Sequence, residues 1–67
     1  MNKFINPPKQ CDICQGPFGM YMYDAKTVNG PWACMCEECW LIYGYGKLGT
    51  SIGQMYKKTG KDWVKIG

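Results

Sequence analysis

The sequence predicts a small α+β domain stabilised by one metal ion. Three observations point there: two C-x-x-C pairs, a β-prone stretch of hairpin length between them, and a second pair that runs into a short apolar helix. The chain has 67 residues, which makes one domain the natural count. A chain this short buries a small share of its surface and needs a staple: disulfides, a metal or a partner. Five cysteines cannot all pair within one chain, and no histidine is present, so a full set of four soft ligands must be cysteine alone.

Each element follows from local chemistry. Residues 1–10 contain Pro7-Pro8 and no periodicity, and read as an extended arm. Cys11-Asp12-Ile13-Cys14-Gln15-Gly16 reads as a knuckle in which two thiolates grip one ion from a tight turn. Gly16 is expected to take the unusual backbone angle after the second sulfur. Residues 18–34 read as a hairpin, with Phe18 to Tyr23 as one β-prone arm and Trp32-Ala33-Cys34-Met35 as the return. Both Asp24-Ala25-Lys26-Thr27 and Asn29-Gly30-Pro31 carry turn chemistry.

From Cys36 the pattern becomes helical. Glu37 and Glu38 suit a first turn, where the helix dipole favours negative charge, and Gly44 and Gly46 stop the element after Tyr43. A glycine-rich loop follows over 44–53. The basic tail ends in Trp63-Val64-Lys65-Ile66, a last strand or an ordered tail, and 44–67 is expected to pack on the same domain.

The spacing identifies Cys11, Cys14, Cys36 and Cys39 as ligands of one structural Zn2+. Four protein ligands complete a tetrahedron and leave no open position for water, which argues for a structural ion. An iron site of rubredoxin type is disfavoured because the second pair runs straight into Trp40-Leu41-Ile42 without a second glycine knuckle. A disulfide or redox pair is the other alternative. Cys34 is the spare thiol, read as a small buried hydrophobe, with substitution for Cys36 as the competing role.

Charge is uneven. Residues 1–40 carry a net −1 and residues 41–67 a net +4. There is no arginine, so forked recognition of guanine or phosphate is not available. Lys47, Lys57, Lys58, Lys61 and Lys65, with Tyr45 and Trp63 among them, form the expected nucleic-acid contact, lysines on phosphates and aromatics stacking. The competing expectation is a small adaptor or inhibitor that docks on a host protein through exposed aromatics. Gly44-x-Gly46-x-x-Gly49 matches a dinucleotide fingerprint in letters, but it lacks the preceding strand and the βαβ unit, and Gly46-Lys47 lacks the phosphate-loop spacing. Without histidine, and with only Cys34 spare, no catalytic set assembles, and no small-molecule substrate is expected. Neither a leader nor a membrane span is expected in residues 1–8 or beyond, so the cytoplasm is the expected compartment.

A knuckle, a hairpin and a second pair opening a helix resemble the treble-clef zinc finger over residues 11–43. Gly30-Pro31-Trp32-Ala33, Met35-Cys36-Glu37-Glu38-Cys39 and the run Gly46 to Tyr56 further resemble small treble-clef proteins encoded by bacteriophages. That likeness implies a short protein of the bacterial host cytoplasm and implies no activity.

Overall fold

A computed structural model describes Phe4, residues 7–49 and residues 51–67. Most of the expected N-terminal arm (1–3, 5 and 6) and Thr50 of the glycine-rich loop lie outside the described residues. The elements are β1 (Tyr21–Lys26), β2 (Trp32–Met35), α1 (Glu37–Tyr43), β3 (Gly53–Thr59) and β4 (Asp62–Lys65). The strands form one antiparallel sheet in the order β2-β1-β3-β4. This is a small α+β fold, with one short helix packed on a four-stranded sheet.

The hairpin lies where the sequence put it, but its turn is shorter. Asp24, Ala25 and Lys26 belong to β1 and do not form a turn. The reversal is closed at 27–31, where the Thr27 N–H and hydroxyl both donate to the Pro31 carbonyl, at 3.1 and 2.7 Å. β-propensity and strand pairing outweigh the local turn chemistry of Asp24.

The second half differs most. Residues 53–65 form a hairpin of their own, and β3 takes the place beside β1 at the centre of the sheet. Gly53, expected in a loop, is the first residue of β3. A Cβ there would stand 2.5 Å from Ala25 Cβ, so only glycine lets the two strands pair in this register.

Directly paired residues point to the same side of a sheet, and successive residues to opposite sides. Tyr23, Ala25 and Met35 therefore face α1, where Trp40 stacks on Tyr23 with ring centroids 4.4 Å apart. Met22, Tyr56 and Trp63 face the other way. There Phe4 meets Tyr56 edge-on at 5.1 Å and Phe18 meets Trp63 edge-on at 5.7 Å. The core thus has two sides. Met22 and Met35 are fully buried, one on each side of the sheet.

α1 begins as the sequence predicts, with Glu37 and Glu38 in its first turn, and ends at Gly44. Gly44 is extended, with φ −82°, so it stops the helix without a left-handed turn. Its missing side chain matters because a Cβ would stand 2.6 Å from the Trp40 carbonyl oxygen and 2.7 Å from its indole ring. Among the described residues no helix is long and apolar enough to cross a membrane.

Candidate metal centre and basic surfaces

The knuckle forms by local hydrogen bonding. The Cys11 N–H donates to the Gly16 carbonyl at 2.8 Å, and the Gln15 N–H donates to the Cys11 carbonyl at 3.0 Å. Two further amides point at sulfur, Ile13 N–H at Cys11 Sγ and Gly16 N–H at Cys14 Sγ, both at 3.4 Å. The residue with the left-handed angle is Gln15, φ 60°, not Gly16. Gly16 serves by close approach instead, since a Cβ there would meet Cys14 Sγ at 3.3 Å.

The second pair comes from the start of α1. Cys36 is its N-cap and Cys39 its one buried residue. The Sγ atoms of Cys11, Cys14, Cys36 and Cys39 all lie within 4.8 Å of one another. Cys14 Sγ and Cys36 Sγ are 3.8 Å apart, and a sulfur tetrahedron with metal–sulfur bonds of ~2.3 Å has edges of ~3.8 Å. The four residues could therefore hold one metal ion. Cys11, Cys36 and Cys39 are buried and Cys14 is exposed.

The protonation of the cluster is uneven. Burial works to raise the Cys11 thiol, but the amides of Cys14, Cys36 and Ile13, with the Cys39 thiol, hold it down at about 7. Burial pushes Cys36 up, and the Cys14 and Cys11 thiols add to that. Cys39 is pushed up by burial and then by the sulfurs of Cys11, Cys36 and Cys14. Four thiols in this space cannot all ionise without a cation among them, which is the condition metal binding supplies.

Asp12 ties the knuckle to the sheet. Its N–H donates to the Cys34 carbonyl and its Oδ2 accepts from the Cys34 N–H, both at 2.9 Å. Asp12 lies between the two cysteines of the first pair and its partner Cys34 lies two residues before Cys36 of the second, a link that becomes visible only when β2 is in place. Cys34 itself stays outside the cluster. It is half-buried, and burial, Asp24, Asp12 and Cys11 in that order push its thiol up to about 12.

The expected nucleic-acid residues do not form one patch. Tyr45, 47 % exposed, shares a recess of ≈ 440 Å³ with Lys47, Lys26 and Ser51. Lys58 and Lys61 meet Lys9 over a separate groove of ≈ 470 Å³. Lys65 stands beside Gly49, Gly53 and Gln54. Lys57 is exposed on the α1 side of the sheet, opposite Val64.

Trp63 requires a correction. It is 5 % exposed, packed against Phe18 with the Lys58 ammonium 5.5 Å from its ring centroid, so it is a core residue and is not open for stacking or docking. Sequence reasoning missed Lys9 and Lys26, which lie far from the basic tail in the chain and join it only through the arm and through β1. No protein-family model, curated protein or solved structure matches the chain.

Proposed function

We propose that this chain is a non-catalytic module built on one structural zinc ion and that it contacts nucleic acid. Four cysteine sulfurs within 4.8 Å of one another are the donor set zinc prefers, and together they leave no site for substrate at the metal. The order of knuckle, hairpin and helix N-terminus supports the treble-clef reading of residues 11–43. A thiolate site of this kind belongs in a reducing compartment, in keeping with a bacteriophage protein acting in its host's cytoplasm.

The observation that carries the nucleic-acid reading is the Tyr45 recess. An exposed aromatic ring stands beside two ammonium groups, Lys47 and Lys26. Stacking on a base with lysines on the adjacent phosphates is how such a surface is used. The measurement is fluorescence anisotropy of a labelled oligonucleotide with the zinc-loaded protein. With about three to four phosphates neutralised, affinity should fall roughly 20- to 50-fold between ~50 and ~200 mM salt. Binding indifferent to salt, or unchanged by Tyr45→Ala, would overturn the reading.

One observation favours the protein-adaptor reading. Leu41 and Ile42 of α1 are 65 % and 67 % exposed. An adaptor would dock through these aliphatic side chains and Tyr45, with Trp63 taking no part. A complex from bacterial lysate that survives nuclease and high salt and is lost in Leu41→Asp would support it over nucleic acid.

A further inference from the structure

We infer that two copies of this chain associate across the segment Pro17-Phe18-Gly19, with Glu37 and Glu38 of each copy facing Lys9, Lys58 and Lys61 of the other. This goes beyond the nucleic-acid reading and does not depend on it.

Pro17-Phe18-Gly19 divides two grooves of unlike charge. One, of ≈ 470 Å³, carries Lys9, Lys58 and Lys61. The other, of ≈ 530 Å³, carries Glu37 and Glu38, with Met20, Tyr21 and Leu41 as apolar lining. None of the described residues lining the first is acidic, and none lining the second is basic. The strand register accounts for the separation. Lys58 pairs with Trp63, on the face of the sheet opposite α1. Tyr21 lies two residues from Tyr23 and so faces the α1 side, where Glu37 and Glu38 open the helix. The Lys58 N–H donates to the Met20 carbonyl at 2.9 Å, which fixes the dividing segment at the end of the sheet.

Pro17, Gly19, Met20 and Leu41 are all exposed, so the boundary between the two charges is largely apolar. An apolar strip with acid on one side and base on the other is complementary to itself. A two-fold axis along the strip lays strip on strip and brings the acidic side of each copy to the lysine side of its partner. Both charge contacts then form together, and no like charges meet. A polyanion would match the lysines and be repelled by Glu37 and Glu38. A basic protein would match the glutamates and be repelled by the lysines. A second copy is the occupant that suits both sides.

The association uses the end of β1 remote from the Tyr45 recess. β1 runs from Tyr21 beside the dividing segment to Lys26 in that recess. At ~3.3 Å per residue its ends stand about 17 Å apart. The pair therefore leaves both Tyr45 recesses open.

The test is sedimentation equilibrium of the zinc-loaded protein. A contact of this modest size should give a dimer with a dissociation constant on the order of 10–100 μM at ~50 mM salt, weakened at least about fivefold at ~500 mM. Lys9→Glu with Lys61→Glu makes both sides acidic, and Glu37→Lys with Glu38→Lys makes both sides basic. Each double variant alone should associate at least about tenfold more weakly, and an equimolar mixture of the two should form a heterodimer at least as tight as the unaltered pair. Lys58 is left in place because its ammonium lies over Trp63. Circular dichroism and zinc content establish that each variant is folded. Glu37→Gln with Glu38→Gln, a milder change at the helix start, should weaken association in the same direction and serves if the lysine version does not fold. Tyr45→Ala should leave the dimer within about twofold. A chain that is monomeric at ~500 μM and ~50 mM salt, variants that dimerise as the unaltered chain does, or charge-reversed variants that ignore one another on mixing would overturn the inference. Each of those results leaves the Tyr45 contact standing, and failure of oligonucleotide binding leaves the dimer standing.

Discussion

The metal end and the β3–β4 end of this molecule are held by different forces. Around the cysteines the helix adds little carbon to the core. α1 contributes one buried residue, Cys39, while Leu41 and Ile42 face outward. Across the sheet, Met22, Tyr56, Trp63 and Phe18 have almost no exposure, with Phe18 edge-on to Trp63 and Phe4 edge-on to Tyr56. On the zinc reading the first end depends on coordination beside the Tyr23–Trp40 stack and the second on aromatic packing alone, and β1 and β2 join them. In so short a chain neither end is large enough to stand alone.

Breaking coordination should have the largest effect. Cys39→Ser removes a buried thiol of the proposed zinc site and with it most of a binding energy on the order of 10 kcal/mol. The expected outcome is loss of bound zinc and loss of the cooperative thermal transition. Trp63→Ala attacks the other end and should cost about 3–5 kcal/mol, read as a lower urea midpoint in protein that still binds one zinc. Gly53→Val should follow, costing about 1–3 kcal/mol because β3 must move away from Ala25. Asp12→Ala leaves the Cys34 N–H without its carboxylate and should cost about 1 kcal/mol at this exposed site. It should also weaken zinc affinity, since the clamp aligns the two cysteine pairs.

The smallest expected effect has the opposite sign. Burial, and then Asp12, hold Asp24 above the usual carboxylate range. Its folded form favours the proton, so its contribution is present at acid pH and lost as pH rises through its folded pKa. Asp24→Asn should therefore raise the melting temperature at pH 7 and change it little near pH 3.

The first half of the fold was legible because its signals are local. The cysteine spacing, the Asn29-Gly30-Pro31 reversal and the acidic first turn of α1 each act within a few residues. β3 was hidden for the opposite reason. Gln54-Met55-Tyr56-Lys57-Lys58-Thr59 follows a glycine run and mixes polar with apolar residues, and its partner β1 lies some thirty positions earlier. Thr59-Gly60-Lys61-Asp62 was the missed clue. Gly60 has φ 62° in a two-residue turn, the kind that closes a hairpin. With that hairpin drawn, the alternation of Lys57 and Lys58 and the burial of Trp63 follow from the pleat. The four clustered cysteines were legible from spacing alone. Asp12, Lys9 and Lys26 were not, because each gains its role from a neighbour remote in sequence.

The most direct test of the account is far-UV circular dichroism of the reduced, purified protein, with metal content measured in parallel, before and after a zinc-selective chelator. The account predicts one zinc per chain, collapse of the folded spectrum when the ion is withdrawn, and recovery when zinc is restored. A reduced, metal-free chain that keeps its spectrum and its cooperative melt in excess chelator would contradict it.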